Sequence, residues 1–383
     1  MDLVLSTERG IEWLLEEELK GAGHKTAPFP FLGRVRVADL TERQILKILY
    51  TNPLYHKAYI LFEEVKLEKH RRDLDTVYWA ARNSPIIDLL SPSLSFGVKC
   101  NRKGHHPYQS QEIASYIGAG IIDGCRTKRG FRPKVNLKVP DLLVAADAFE
   151  KLYMGVELVG LEGMHHRGWR IYNHPAALKS TLANALIRLS GYGDGMCLWD
   201  PMCGSGTIPI EAAHRQIGLA PAFFRKKNFL FLRSHILSRE LWSEITHQTD
   251  EEINWHKGCC IFGSDRSEKH IKGALINAES ALVERKIRFY TCSLSEFPDV
   301  QSIDTIVCNP PYGIRMGNPK SALKSLKELF ITFAESKAQV LVMIHPRAEQ
   351  VQAVAETTGS HLDKLIKAYN GNVEAFIMRF VKT

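Results

Sequence analysis

The chain after residue 195 alternates strand-like and helix-like segments, and this alternation constrains the fold more than any other feature. The strand-like runs are MCLWD, CIFGSD, IRFYTC, DTIVCN and QVLVMIH, and helical patterns such as SEKHIKGALINAESALVERK separate most of them. Such alternation predicts a doubly wound parallel sheet. Two further strand-like runs surround Asn370-Gly371 near the C-terminus. They predict a hairpin, so the last strand of the sheet is expected to be antiparallel.

The residues before this alternation predict two smaller α+β units. The first sixty contain strand patterns DLVLST and GRVRVADL with helical patterns after each, and KAYILFEEVKL follows as another strand. A second unit begins near residue 70, with strand LSFGVKCNR and helix SQEIASYIGAGIIDGCR, and HHRGWRIYNHP reads as a linker. A chain of 383 residues is long for one core, so several domains are expected. We place them at residues 1–65, 66–165 and 179–383, with the linker at 166–178.

The composition is that of a globular chain outside the membrane, with 45% apolar and 24% charged residues. No apolar run approaches the roughly 20 residues of a membrane span, and the N-terminus lacks the pattern of a signal peptide. A cytoplasmic location is therefore expected. The eight cysteines are scattered and include no CxxC pair, and adjacent Cys259 and Cys260 cannot readily bind one zinc ion together. We expect buried thiols in a reducing compartment and no metal.

Positive charge is concentrated in two blocks. Residues 96–138 carry a net +7 and residues 215–239 a net +6, whereas the chain as a whole carries +8. Two basic blocks on a mildly acidic body favour a polyanionic partner. Charge alone leaves a second interpretation open, in which both blocks are ordinary solvated surfaces.

A short glycine loop follows the first strand of the alternating region. In LWDPMCGSGTIPIEAA, Asp200 ends the strand, Gly204-Ser205-Gly206 turns, and a helix follows. The loop is neither a P-loop nor a complete GxGxxG fingerprint. Asp265 ends the second strand, where a carboxylate either caps a helix or accepts hydrogen bonds from both ribose hydroxyls. Together the two features favour a nucleoside cofactor without a required pyrophosphate, and S-adenosylmethionine is the obvious candidate.

The fourth strand ends in the segment NPPY, residues 309–312. Consecutive prolines end the strand and stiffen the backbone, so the Asn309 side chain and the Pro310 carbonyl become two rigid acceptors. Such a pair suits an exocyclic amine, which has two N–H donors, and Tyr312 offers a ring on which a base can stack. Alone, NPPY is equally compatible with a plain turn, but it shares a sheet edge with the glycine loop and Asp265.

These residues resemble the amino-methyltransferase branch of the class I S-adenosylmethionine-dependent enzymes, whose fourth strand ends in Asp or Asn, two prolines and an aromatic residue. RGWRIYNHPAALKSTLANALIRLSG, DPMCGSGTIPIEAA and NPPYGIR together resemble the THUMP-containing RNA guanine-N2 methyltransferases. STERGIEWLLEEEL resembles their ferredoxin-like domain, and SFGVKCNRKGHHPYQSQEIASYIGAGIID their THUMP domain. Within this family the chain most resembles the archaeal-type tRNA enzymes that make N2-methylguanosine at position 6.

The resemblance implies an α/β chain in which ferredoxin-like and THUMP α+β domains precede a Rossmann-like class I methyltransferase domain with a seven-stranded sheet. It implies S-adenosylmethionine as cofactor and Asn309, Pro310, Pro311 and Tyr312 as the catalytic residues that receive the guanine. Ser293 stands where family members commonly carry an acid for the adenine amine, and the Leu294 N–H is expected at the adenine ring. The implied cofactor residues are Asp200, Gly204, Ser205, Gly206, Thr207, Asp265, Arg266, Ser293, Leu294 and Asn309.

The expected partner is RNA, a tRNA above all, bound by a monomeric protein. The candidate RNA-binding residues lie in the two basic blocks and are Lys99, Arg102, Lys103, His106, Arg225, Lys226 and Lys227. A paired guanine would have to flip out of its stem to reach the NPPY segment. The alternatives are a 23S rRNA guanine-N2 methyltransferase, a DNA adenine-N6 methyltransferase, and an RNA-binding module without catalytic activity.

Overall fold

The computed structural model describes residues 1–312, 319–371 and 373–382. Residues 313–315 of the NPPYGIR motif lie outside this description. The chain divides into two compact units. The first contains Met1–Thr7, Glu12–Met164 and Arg225–His247, and the second contains Glu8–Ile11, His165–Phe224 and Gln248–Thr383.

The first unit, whose residues are all described, is built on one eight-stranded sheet with the order β2-β3-β1-β4-β8-β7-β5-β6. Its strands are β1 (Asp2–Ser6), β2 (Lys25–Ala27), β3 (Arg34–Ala38), β4 (Lys57–Lys66), β5 (Ser95–Arg102), β6 (Lys134–Val135), β7 (Leu142–Ala148) and β8 (Lys151–Glu157). Its first four helices are α1 (Glu12–Gly21), α2 (Glu42–Thr51), α3 (Asp73–Asn83) and α4 (Ser110–Arg129).

The order β2-β3-β1-β4, with α1 and α2 as crossovers, is that of a ferredoxin-like domain and confirms the predicted N-terminal fold. The sheet continues without a break, because β4 pairs antiparallel with β8, as at Ile60 and Val156. Between α3, α4 and the second half of the sheet lies a core that includes Val77, Phe96 and Ile117. The two N-terminal domains predicted from sequence therefore share one sheet.

The remaining elements continue the alternation that the sequence predicts. The helices are α5 (Ser180–Leu189), α6 (Thr207–Ile217), α7 (Arg239–Glu251), α8 (Glu268–Ser280), α9 (Pro319–Glu335) and α10 (Ala348–Glu356). The strands are β9 (Cys197–Asp200), β10 (Cys260–Asp265), β11 (Arg288–Thr291), β12 (Thr305–Cys308), β13 (Val340–His345), β14 (Ser360–Asn370) and β15 (Val373–Lys382).

In the described part of the second unit, seven strands form a sheet with the order β11-β10-β9-β12-β13-β15-β14. The strands from β9 to β13 are parallel, and β15 is antiparallel to both β13 and β14. The predicted seven-stranded sheet with an antiparallel last strand is thus confirmed. Because β10 lies on one side of β9 and β12 on the other, the connections diverge at the carboxyl end of β9, where open α/β sheets bind their ligands.

Residues 225–247 belong to the first unit, although in the sequence they lie between α6 and β10, which belong to the second unit. The Trp242 ring contacts Tyr50, Phe229 and Phe231 edge-on, with ring centroids 5.4, 4.9 and 5.3 Å away. Such an aromatic cluster buries a large apolar area, which stabilises this segment within the first unit. The three predicted boundaries between these segments stay predictions.

One expectation about the cysteines is wrong. Cys197 and Cys260 form a disulfide with a Cα–Cα distance of 4.5 Å, because the register of β9 and β10 places them directly opposite each other. Their separation of 63 residues in sequence conceals this pairing. Of the free cysteines, Cys125, Cys203 and Cys308 are buried, as the sequence predicts.

Candidate functional site

A cavity of about 800 Å³ lies at the carboxyl ends of β9, β10 and β12, within the size range of small-molecule sites. It brings together residues that are far apart in sequence. Among the predicted residues, those that line it are Asp200, Gly204, Ser205, Thr207, Asp265, Arg266, Ser293, Leu294, Asn309, Pro310, Pro311 and Tyr312. Gly206 is not among the lining residues, and the other predicted cofactor residues share the cavity with the predicted guanine residues.

The glycine loop between β9 and α6 has a conformation that only glycine adopts easily. Gly204 and Gly206 have φ angles of +52° and +79°, in the left-handed region that disfavours side chains. A Cβ on Gly206 would also lie 3.1 Å from the Ala274 Cβ on α8. The loop is fixed to β10, since the Cys203 N–H donates to the Ser264 carbonyl at 2.9 Å. Gly206 then begins α6 as its N-cap.

The two predicted acids differ in their surroundings. Asp200 is 2% exposed and accepts a hydrogen bond from the Met202 N–H at 3.2 Å. Burial raises the pKa of Asp200 well above its ordinary value. Asp265 is half-buried and accepts from the Gly204 N–H at 3.1 Å and the Ser267 N–H at 2.9 Å. A carboxylate has about four acceptor positions, so Asp265 stabilises the loop and the start of α8 and keeps further acceptor capacity.

Ser293, which stands in place of the usual acid, caps a short 3₁₀ turn after β11. Its hydroxyl donates to Glu296 Oε2 at 2.7 Å, and its backbone N–H donates to the same oxygen at 3.0 Å. Because the hydroxyl proton is committed to Glu296, the Ser293 oxygen presents only acceptor capacity elsewhere. Leu294, 8% exposed, follows it in the cavity wall.

The Asn309 side-chain amide is held from both ends. Its Nδ2 donates to the Ala176 carbonyl at 3.3 Å, and its Oδ1 accepts from the Tyr312 hydroxyl at 2.8 Å. The Asn370 Nδ2 in turn donates to the Tyr312 oxygen at 3.4 Å. Burial raises the pKa of Tyr312 to about 12, so the hydroxyl keeps its proton at neutral pH.

Tyr312 is less available than the sequence suggests. Its ring is half-buried and packs edge-on against His345, with ring centroids 5.3 Å apart. Burial lowers the pKa of His345 to about 4, so this neighbour is neutral. The two prolines differ, because Pro310 is buried and Pro311 is exposed.

The linker contributes residues to the site that the sequence interpretation missed. His174 Nδ1 accepts from the Ala176 N–H at 3.1 Å, and the Ala176 carbonyl is the group that holds Asn309. Arg170 donates to the Ser205 and Thr207 hydroxyls at 3.1 and 2.9 Å from behind the glycine loop. Burial lowers the pKa of Arg170.

Other missed residues come from α8 and the β14–β15 hairpin. His270 on α8 and Asn370 at the end of β14 both line the cavity, as do residues 174–179. The sequence carried a signal for the linker, since a tryptophan and a His-Pro pair are unusual in a flexible spacer. In the structure Trp169 is buried. The sequence carried no signal for the Ala176 carbonyl, because every residue has a backbone carbonyl and the residue type does not show which one makes a contact.

The predicted RNA-binding residues of the first basic block have different environments. Lys99 is exposed, and Arg102 donates to the Gly104 carbonyl at 2.8 Å. Lys103 lies 5.5 Å from the Phe149 ring centroid. His106 is hydrogen-bonded at both ring nitrogens, and burial lowers its pKa. His106 therefore adds no positive charge at neutral pH, and its predicted RNA contact would be a neutral hydrogen bond.

In the second basic block, the assignment of Arg225 to RNA binding is wrong. Arg225 is 5% exposed, and its guanidinium donates to the Gly163 and Glu162 carbonyls at 2.8 and 3.3 Å. A buried guanidinium committed to backbone acceptors cannot reach a phosphate. Lys226 lies 5.9 Å from the Tyr50 ring centroid, and Lys227 is exposed. Lys227 is the strongest of the three candidates.

Across residues 1–312, 319–371 and 373–382, no helix has both the length and the apolar character needed to cross a membrane. Within the same ranges, no group of three or more His, Cys, Asp or Glu side chains is arranged to hold a metal ion.

Comparison with known families identifies both halves of the chain. A family model described as the RMKL-like methyltransferase domain matches residues 167–376, and a THUMP domain model matches residues 71–157. Solved structures share the fold over 100% of this chain. SMU.472 in complex with SAH has a TM-score of 0.86 with 22% identity and 98% of its own chain covered. TrmN from Thermus thermophilus has a TM-score of 0.73 with 22% identity and 99% covered.

Curated relatives are more similar in sequence. The tRNA (guanine(6)-N2)-methyltransferase of Methanocaldococcus jannaschii is 31% identical over 345 residues, which cover 89% of this chain and 88% of the relative. An Archaeoglobus fulgidus protein of the same name is 34% identical, with 68% and 62% covered. The ribosomal RNA large subunit methyltransferase K/L of Vibrio parahaemolyticus is 31% identical, with 81% of this chain and 44% of the relative covered.

The family predicted from the sequence motifs is thereby confirmed. The chain belongs to the RMKL-like methyltransferase family and carries a THUMP domain ahead of its catalytic domain.

Proposed function

We propose that this protein transfers a methyl group from S-adenosylmethionine to the N2 amine of a guanosine in structured RNA. A tRNA is the proposed substrate, with position 6 as the target nucleotide. The observation that carries the proposal is the single cavity in which the Asn309 amide faces the same space as the glycine loop and Asp265. The Methanocaldococcus jannaschii relative, named as a tRNA (guanine(6)-N2)-methyltransferase and matched over most of both chains, supports the choice of substrate.

The residues in the cavity fit a cofactor that combines a nucleoside with a positively charged amino-acid end. The buried Asp200 carboxyl, which accepts a hydrogen bond from the Met202 N–H, is a suitable acceptor for a cationic group. At the other end, Asp265 has acceptor positions for ribose hydroxyls, and Ser293 offers an acceptor for the adenine amine. S-Adenosylmethionine carries all three groups and supplies an electrophilic methyl on its sulfonium sulfur.

The glycine loop suits the carboxylate of the same cofactor. The N-terminus of α6 presents backbone N–H groups, and the Ser205 and Thr207 hydroxyls each accept a hydrogen bond from Arg170. A hydroxyl that accepts from a guanidinium keeps its own proton for another acceptor. Arg170 therefore orients both hydroxyls as donors toward an anion in the cavity.

Asn309 and Pro310 position the amine of the substrate. Asn309 Oδ1 and the Pro310 carbonyl are two acceptors for two N–H donors, and holding both hydrogens directs the nitrogen lone pair away from them. Such positioning lowers the barrier by fixing the approach geometry. Both oxygens are the negative ends of dipoles, so they also stabilise the positive charge that develops on the nitrogen. The proton can leave after the methyl has been transferred.

The decisive experiment is to incubate the purified protein with labelled S-adenosylmethionine and total RNA, then map the modified nucleoside by mass spectrometry. The expected product is N2-methylguanosine in tRNA at position 6. N2-Methylguanosine in 23S rRNA would favour the alternative suggested by the K/L relative. N6-Methyladenine in a parallel DNA reaction, or RNA binding without any transfer, would overturn the proposal.

Asp265→Ala is expected to raise the Kd for S-adenosylhomocysteine roughly 10- to 100-fold, the scale of a charged hydrogen bond. The loss has two sources, because the carboxylate serves the ribose and also holds the Gly204 N–H. Isothermal titration calorimetry measures it. Glu268→Ala is the matched control, since it removes an exposed carboxylate three residues away that pairs with Lys272. Equal affinities for both variants would contradict the assignment.

Lys99→Glu is expected to weaken RNA binding and to flatten its salt dependence, reducing the slope of log K against log salt by about 1. Lys99 is exposed and lies on β5 in the first basic block. Lys337→Glu makes the same charge change at an exposed position outside both blocks. If both variants shifted the slope equally, the effect would reflect net charge and Lys99 would have no specific contact.

A further inference from the structure

Two asparagine amides, Asn309 and Asn370, line one end of the cavity and are joined through a single hydroxyl. Asn309 lies at the end of β12 and Asn370 at the end of β14, 61 residues later in the sequence. The Tyr312 oxygen bridges them, since it donates to Asn309 and accepts from Asn370. Any amine held by Asn309 Oδ1 therefore lies close to the Asn370 amide.

The hydrogen-bonding capacity of Asn370 is largely unused. Its Nδ2 to Tyr312 contact of 3.4 Å is longer than the usual 2.7–3.2 Å. Within the described part of the chain, no donor reaches its side-chain oxygen. A polar amide that faces a cavity with open donor and acceptor positions is suited to a ligand.

Turn geometry gives no reason for asparagine at this position. Asn370 pairs with Val373 as the last residue of β14, so Asn370 belongs to the strand and the turn begins after it. Gly371 has the left-handed φ of +66°, whereas Asn370 is not among the residues with positive φ. The sequence predicted the hairpin correctly, but the asparagine of its Asn-Gly signal lies in the strand, one residue before the turn. Its side chain is therefore free for another purpose.

We propose that Asn370 is a specificity-determining residue that reads the edge of the target base next to the amine. The proposal rests on the proposed guanine-N2 activity. Guanine presents an N1–H donor and an O6 acceptor beside its N2 amine, and a side-chain amide matches both through its oxygen and its NH₂ group. Adenine has an acceptor at N1, which the amide oxygen would oppose. The amide cannot simply turn over, because the Tyr312 hydroxyl donates its proton to Asn309 and its oxygen accepts from the Asn370 NH₂ group. Asn370 thus favours guanine where the NPPY residues alone accept any exocyclic amine.

The test uses a tRNA that the unaltered protein methylates, prepared with either guanine or 2,6-diaminopurine at the target nucleotide. Diaminopurine keeps the C2 amine but has an acceptor at N1 and an amino group at C6. The unaltered protein is expected to prefer guanine by roughly 10- to 100-fold in kcat/KM, the effect of a buried polar group left unmatched. Asn370→Ala is expected to reduce this preference by about tenfold, chiefly by slowing the guanine substrate.

The preference of the variant is divided by the preference of the unaltered protein, and this quotient isolates the effect of Asn370. The free energy of flipping each base is a property of the RNA, so it is the same for both proteins and cancels. Asn370→Asp provides a second variant of the same size, whose carboxylate accepts from the C6 amine of diaminopurine and repels O6 of guanine. It should shift the preference toward diaminopurine. Lys367→Ala, an exposed position on β14, is the control and should keep the original ratio.

Three outcomes would overturn the inference. The unaltered protein could methylate both bases equally, the alanine variant could slow both by the same factor, or the aspartate variant could keep the original preference. Absence of transfer to the guanine tRNA by the unaltered protein is a different result, which contradicts the proposed function itself. Binding of S-adenosylhomocysteine with unchanged affinity would verify that each variant is folded.

Discussion

Replacing Asn309 with alanine is expected to lower kcat for methyl transfer by roughly 10²- to 10³-fold, the effect of removing one polar group aimed at developing charge. The affinity for S-adenosylhomocysteine should change by less than about threefold, because Asp265 and the glycine loop remain. Single-turnover methylation and calorimetry measure the two quantities separately. A large loss of kcat with nearly unchanged affinity is the informative result, because a collapsed cavity would lower both the rate and the affinity.

Asn309→Asp is the matched variant, because it keeps an oxygen acceptor of the same size. A carboxylate cannot donate to the Ala176 carbonyl, so the contact that fixes the amide at 3.3 Å is lost. An intermediate rate is therefore expected, above that of Asn309→Ala and below that of the unaltered protein. If Asn309→Ala abolished cofactor binding while each bound complex reacted at the normal rate, Asn309 would be a cofactor residue and not a catalytic one.

The catalytic fold could be predicted from sequence because its signals are local. The five parallel strands are short apolar runs bounded by polar or glycine-rich segments, and each strand of the structure lies within a predicted run. The rule that ligands bind at the carboxyl ends of such strands placed Asp200, Asp265 and Asn309 in one cavity without any knowledge of packing. For this reason the predicted cavity residues were found together.

What the sequence could not predict depends on contacts between distant segments. The Cys197–Cys260 disulfide requires the register of two strands, and the packing of residues 225–247 in the first unit requires the Trp242 cluster to form. Arg225 illustrates the same limit for charge. The sequence shows how many basic side chains a segment contains, but only the structure shows which of them are exposed to solvent.

The site shows a similar division. Residues at strand ends were predictable, whereas His174, Arg170 and Asn370 come from a linker and a hairpin whose approach to the cavity is set by tertiary packing. The sequence identified this segment only as a linker. Its contacts with the glycine loop and Asn309 make it part of the cavity wall.

A buried ion pair fixes that linker to the catalytic domain. Arg167 Nε and Nη2 donate to the Glu211 carboxylate at 3.2 and 3.4 Å, and the two side chains are 2% and 3% exposed. Asn184 also donates to Glu211. Although burial alone would raise the pKa of Glu211, the Arg167 charge lowers it, so the carboxylate is ionised. Arg167 lies three residues before Arg170, and Glu211 lies on α6 directly after the glycine loop.

Glu211→Leu is expected to lower the free energy of unfolding of the second unit by about 3–5 kcal/mol, because it removes the carboxylate that pairs with the buried Arg167 guanidinium. Urea denaturation followed by tryptophan fluorescence measures the loss, since Trp169 and Trp199 both lie buried in this unit. Glu268→Ala is the exposed control. It breaks the Lys272–Glu268 pair, whose side chains are 70% and 69% exposed, and should cost less than about 1 kcal/mol.

The double variant Arg167→Met with Glu211→Leu distinguishes two roles of this ion pair, one in stability alone and one in positioning the linker for cofactor binding. If the pair acts in stability alone, replacing both partners with apolar side chains should restore most of the stability. If the pair is instead required to hold the linker in place, stability should recover while the Kd for S-adenosylhomocysteine stays raised, because Arg170 would no longer orient the Ser205 and Thr207 hydroxyls. A double variant as unstable as Glu211→Leu alone would contradict both roles and would assign the effect to the packing of α6 around position 211.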